Sequence, residues 1–213
     1  MPKYLPIPGT WAWRGDTRDA RSEWWHPRSP FGLFLASHGI EHVCPDEPYV
    51  WTTSINGAVF WRKSHVDWQA AGASLSWYLT NPNTFGPAEV PISDRRLIAH
   101  SHGLQPILYA ASFRGLEIDT LISIGSPVRE DMAAVARSAR PRIRRWLHLY
   151  SGWSDRLQWY GEWFDGRFGV ARQHPMADQN MEIPGKCGHS RILKDPAAFG
   201  LWESERWMDW LTT

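Results

Sequence analysis

Apolar residues follow two different rhythms along this chain. In the stretch before Pro82 they recur at helical spacing, with Ala71, Leu75, Tyr78 and Leu79 falling on one face. Ser64 followed by Asp67 makes a capping-box-like start, and Pro82 marks the stop. Elsewhere the apolar residues form short unbroken runs of the kind that strands buried on both faces require. Tyr4–Ile7 ends at Pro8-Gly9 and reads as a strand entering a tight turn. Arg96–His100, Ile118–Ile124 and Trp146–Tyr150 read as further strands, Tyr49–Thr53 as another, and Gln179–Pro184 as a last short one. Between them the pattern predicts helices over Leu104–Phe113, with Pro106 in the first turn, and over Arg129–Arg140. Pro30–His38, ending at Gly39, reads as a helix with a strand as the alternative, and Pro196–Leu211 closes the chain as an amphipathic helix. Strands alternating with helices specify an α/β fold with a doubly wound, mainly parallel sheet covered on both sides.

The 213 residues are most simply one domain over 1–213, with no internal repeat and no evident interdomain linker. The segments 11–29 and 151–179 break the rhythm and are long, aromatic and irregular. Such loops are usually functional, and both are expected to form pocket walls. Most of the fifteen tryptophans cluster at 11–25, 51–77 and 146–163, expected partly as core and partly as cavity lining, with Trp11 and Trp153 as substrate contacts. A net charge of +1 gives no electrostatic footprint for nucleic acid, the Arg137–Arg145 stretch reading as a solvated helix end. No apolar run is long enough for a membrane span or a signal peptide, so the expected location is cytoplasmic. Cys44 and Cys187 match no zinc spacing, and His38, His42 and Cys44 lack an evident fourth ligand, so no metal or other cofactor is expected.

One junction carries chemistry. LIAHSHGLQP, residues 97–106, runs from a strand through Ala99-His100-Ser101-His102-Gly103 into a helix. A serine at a sharp strand-to-helix turn is pushed out of the backbone, provided the residues two before and two after are small, as Ala99 and Gly103 are. The helix start brings positive dipole, and the backbone N–H of His102 is aimed where an oxyanion would form. A serine nucleophile needs a base, and the base an orienting acid. In chain order after the serine, Asp155 follows the strand Trp146–Tyr150, and His189 follows the glycine-rich turn of IPGKCGHSRIL. Asp165 is the alternative acid and His174 the alternative base. His100 and His102 stand too near Ser101 in sequence to reach it from the correct side and are expected to shape the pocket or pack. A second oxyanion donor is expected from the turn in IPGTWAW, as the N–H of Thr10.

With these residues in place the chain resembles the α/β-hydrolase superfamily, and within it the bacterial lipase and esterase-like members. PGTWAW is similar to the oxyanion turn of those enzymes, AHSHG to their nucleophile elbow, and LISIGSPVRE, residues 121–130, to the strand with a Gly-Ser/Thr-Pro ending. Pro8 stands where the family often has His, and Ala99 where Gly is commonest. The resemblance implies a compact α/β-hydrolase fold without a large cap domain. It implies two-step acyl transfer on Ser101, His189 and Asp155, and a small-molecule, lipid or sugar ester as substrate. A carbohydrate-ester deacetylase on the same residues, or a non-catalytic binding module on the same fold, are the alternatives.

Overall fold

The computed structural model describes residues 1–9, 23–45, 49–51, 65–81, 89–152, 154–156, 173–185 and 187–213. Its described strands are β1 (Lys3–Ile7), β2 (Glu41–His42), β3 (Arg96–His100), β4 (Ile118–Ile124), β5 (Ile143–Tyr150) and β6 (Gln179–Glu182). They form one six-stranded sheet in the order β2-β1-β3-β4-β5-β6, and every described pair is parallel. The helices are α1 (Pro30–Ser37), α2 (His65–Thr80), α3 (Leu104–Arg114), α4 (Ala133–Ala139), α5 (Arg191–Lys194), α6 (Gly200–Ser204) and α7 (Asp209–Thr212).

Side chains on a strand alternate between the two faces of the sheet, and the two cores follow that alternation. Leu5, Ile7, Leu97, Ala99, Leu121 and Trp146 pack into the core with α2, α3 and α4. Tyr4, Ile98, Ile122, Ile124, Leu147 and Leu149 pack on the opposite face with Phe31 and Leu35 of α1 and with Ile192, Phe199, Trp202 and Trp207. The central strands β1, β3 and β4 are thereby buried on both sides, as the unbroken apolar runs require, whereas β2 and β6 at the sheet margins keep exposed residues. The described tryptophans are mostly core: Trp68, Trp146, Trp202 and Trp207 are among the largest fully buried side chains, whereas Trp77 is exposed.

Several elements depart from the sequence reading. Tyr49, Val50 and Trp51 join no strand. Their rings are used as anchors instead, the Tyr49 hydroxyl donating to the Ala71 carbonyl at 2.8 Å and the Trp51 Nε1–H to the Pro8 carbonyl at 2.6 Å. The helix expected from Arg129 begins only at Ala133. Ahead of it Arg129 closes a two-pronged pair on Asp131, at 2.9 and 2.7 Å, and the Ala133 N–H donates to the Glu130 carbonyl in a turn. The single C-terminal helix is broken into a turn at Pro196–Ala198, α6 and α7, with Arg206 at φ 60 between the last two. Ser64 lies outside the described residues. At α1 the helix alternative is the one realised: Ser29 caps it, accepting the Gly32 N–H at 3.0 Å and donating to the Trp24 carbonyl.

The strand order reverses between β1 and β3, since β2 lies outward of β1 on one side while β3 to β6 run away on the other. In open parallel sheets the crevice at the carboxyl ends of such a reversal is where ligands bind. In this chain those ends are Pro8-Gly9 and His100-Ser101.

Candidate active site

Ser101 sits at that crevice with φ 53, in the left-handed region that a side chain rarely adopts. A short helical turn, Ser101–Gly103, follows and leads into α3. The small neighbours have a clear steric cause. A Cβ on Gly103 would stand 2.3 Å from the Ile7 carbonyl oxygen and 2.8 Å from that of Pro8. The obstacle is therefore the end of β1 and not the turn itself. A Cβ on Gly9 would stand 2.9 Å from the Ser101 Cβ. The first strand and the elbow thus touch through two glycines, and the Ser101 side chain rises beside the turn that leads toward Thr10.

Asp155 and His189 meet. The His189 Nδ1–H donates to Asp155 Oδ2 at 2.8 Å. The carboxylate is fully buried, while the imidazole keeps some solvent access. This bond fixes the tautomer: with the proton on Nδ1, Nε2 is left as the acceptor. Two backbone features hold the pair. The Asp155 N–H returns to the Ser151 carbonyl at 3.1 Å just past β5, and the Gly188 N–H reaches the Ser154 Oγ at 3.4 Å. Beneath them runs Gly125, at the end of β4 with φ 52. A Cβ there would come within 3.2 Å of His189 Nδ1 and 3.4 Å of Asp155 Oδ2. Gly125 was visible in the sequence only as part of the Gly-Ser-Pro strand ending; its closeness to the acid–base pair needs the fold.

Among the described residues no hydrogen bond joins the Ser101 hydroxyl to His189, so the histidine–carboxylate pair is assembled and the serine–histidine contact is open. Catalytic hydrogen bonds of this kind are often long without substrate. The alternative base, His174, is buried elsewhere, its ring 4.2 Å from that of Trp146 and its Nδ1 accepting the Met176 N–H. Burial lowers its pKa to about 3. Thr10, Trp11, Trp153 and the alternative acid Asp165 lie outside the described residues.

The histidines flanking Ser101 point to opposite sides. His102 stacks on Trp68 of α2, centroids 6.1 Å apart, and the Arg129 guanidinium lies 5.0 Å over the same indole. Burial, then the charge of Arg129, lowers its pKa to about 3, so its ring is neutral beside Ser101. His100 shares the face of Ile98, packs edge-on against Trp24 at 5.8 Å and lies 4.6 Å from the His189 ring. His38, His42 and Cys44 do not converge: His38 Nε2 pairs with Glu203 at 2.6 Å, while His42 Nδ1 accepts the Cys44 N–H. No group of three metal-binding side chains occurs among the described residues, and none of their helices is long and apolar enough to cross a membrane.

No family model matches this chain, and no curated protein matches it. Among solved structures it is similar to the crystal structure of a predicted CIB-like hydrolase from Thermoplasma acidophilum. The two share 10% identity and a TM-score of 0.48, over 98% of this chain and 86% of that one.

Proposed function

We propose that this chain is a serine hydrolase of the α/β type, and that its substrates are carboxylic esters cleaved through an acyl-enzyme on Ser101. The observation that carries the reading is the His189–Asp155 pair, bonded at 2.8 Å at the same sheet edge where Ser101 is held in a left-handed turn. A capping serine needs no such backbone strain, and a structural histidine needs no fully buried carboxylate to orient it.

In the reading's first step His189 Nε2 takes the Ser101 proton as Oγ attacks the ester carbonyl carbon. The tetrahedral oxyanion is held by the His102 N–H and by that of Thr10. Asp155 stabilises the imidazolium across the Nδ1–H bond. The C–O bond to the alcohol then breaks, and His189 returns the proton to the leaving oxygen. Water, deprotonated by the same imidazole, attacks the acyl-serine and releases the acid. None of these steps draws on a metal or organic cofactor. Trp11 and Trp153 are assigned to the substrate walls, against either an acyl chain or a sugar face.

The test is covalent labelling of the folded protein with a fluorophosphonate probe, beside hydrolysis of p-nitrophenyl esters of graded acyl length and of acetylated sugars. Ser101-dependent labelling and turnover, both lost in S101A, are expected. Absence of labelling and turnover in folded wild type and S101A alike would instead support a non-catalytic binding module, the reading favoured by the open Ser101–His189 contact.

A further inference from the structure

The His-Ser-His string leaves His100 without a role in the chemistry above, yet it makes a specific contact. Its Nε2 lies 3.0 Å from the backbone carbonyl oxygen of His189. A carbonyl only accepts, so Nε2 carries the proton and donates. Burial, then the neighbouring His189, lowers the His100 pKa well below the ordinary 6.5, leaving a neutral ring with its single proton in that bond. The ring is otherwise fixed by its last-strand position, by the Trp24 edge and by the His189 imidazole at 4.6 Å. The residue that precedes the nucleophile in sequence thus grips the main chain of the residue that would activate it.

We infer that His100 is a positioning residue: its Nε2–H latches the loop carrying His189 onto the end of β3 and sets where the base stands relative to Ser101. The consequence for catalysis rests on the proposed hydrolase reading; the latch itself does not. Asp155 orients the imidazole by its ring nitrogen, and His100 locates it by its backbone. Together they leave the ring little freedom except to face the crevice. A misplacement of such a group by about 1 Å costs about 10²-fold in rate.

The test uses a geometric difference between amides. Glutamine places its amide nitrogen as many bonds from Cβ as the histidine Nε2, whereas asparagine reaches only as far as Nδ1. H100N and H100L are expected to lower kcat and the rate of fluorophosphonate labelling by roughly 10- to 100-fold, with KM changed less than threefold. H100Q is expected to recover most of that loss. Amide hydrogen exchange across Cys187–Arg191 reads the latch without any substrate, and should quicken in H100N and H100L but not in H100Q. Exchange in H100N as slow as in wild type overturns the inference, as does H100Q behaving like H100L. Wild type that neither labels nor turns over, with the exchange order as expected, overturns the hydrolase reading and leaves the latch standing.

Discussion

Two serine–histidine pairs lie at neighbouring strands of this sheet, and they differ instructively. At β4 and β5 the Ser123 hydroxyl is hydrogen-bonded to His148 Nδ1 at 2.7 Å, and the Trp146 Nε1–H donates to the same oxygen at 2.8 Å. Both residues are fully buried, and Ser123 lies in a regular strand. At the end of β3, Ser101 has no such bond to His189, but it stands in a strained turn at the sheet edge, and its histidine is backed by a buried carboxylate. The tighter pair is the one shut away from solvent. Ser123 is fully buried with its hydroxyl already hydrogen-bonded to two side chains, so its contacts serve to satisfy buried polar atoms. What marks a nucleophile is access, an aimed acceptor nitrogen and an acid behind it, more than a short serine–histidine distance.

Exchanging roles between the pairs is the strongest way to break that comparison. S101A should abolish probe labelling and cut kcat by ~10⁴- to 10⁶-fold. S123A should label normally while losing about 1–3 kcal/mol in urea unfolding, because the Trp146 Nε1–H and His148 Nδ1 lose their partner in a buried site. Labelling that follows Ser123 instead would reverse the assignment. Next in size is D155N, which presents an amide to His189 and favours the wrong tautomer; kcat should fall by about 10⁴-fold with KM little changed.

Protonation sets the buried histidines against one at the surface. Burial pushes His42 down to about 4 and His174 to about 3, below the ordinary 6.5. As pH falls through about 6.5 the unfolded chain takes up protons that the folded chain resists. Stability should therefore be level above that pH and decline below it, by up to ~1.4 kcal/mol per pH unit for each such histidine. Urea midpoints from pH 8 to 5 measure this, and H174F should flatten the slope. The smallest effect has the opposite sign. The Phe34 carbonyl, and then Glu203, raise the His38 pKa, so that pair contributes below the ordinary histidine pKa and its contribution fades as pH rises through the folded value. E203Q should cost at most ~1 kcal/mol near pH 5.5 and nothing near pH 9.

The parts of this molecule that were legible in the sequence are those fixed by local sterics or by periodicity. Strands β3 and β4 have the expected bounds, because runs such as Leu97-Ile98-Ala99 admit little besides a doubly buried strand. Asp155 and His189, expected from two strand-end loops, are brought together by the fold, and Ser101 stands at the expected strand-to-helix turn, while their roles as acid, base and nucleophile belong to the proposal. What escaped depends on contacts distant in sequence. Tyr49–Trp51 has strand-like composition, but its polar edges are claimed by Ala71 and Pro8. The amphipathic pattern of Pro196–Leu211 suits a continuous helix and an interrupted one equally, since Phe199, Trp202, Trp207 and Leu211 are buried in either. His100 was judged by its distance along the chain from Ser101, and so its grip on His189 was invisible.

The reversal of strand order between β1 and β3 has a consequence for how the molecule comes into being. Gly9 lies against Ser101, and His189, far later in the sequence, is hydrogen-bonded through its carbonyl to His100, the residue before that serine. A growing polypeptide therefore holds only fragments of the site until the segment around residue 189 has emerged and folded back. Competence to react should appear late and all at once, making a fluorophosphonate adduct a stringent reporter of completed folding.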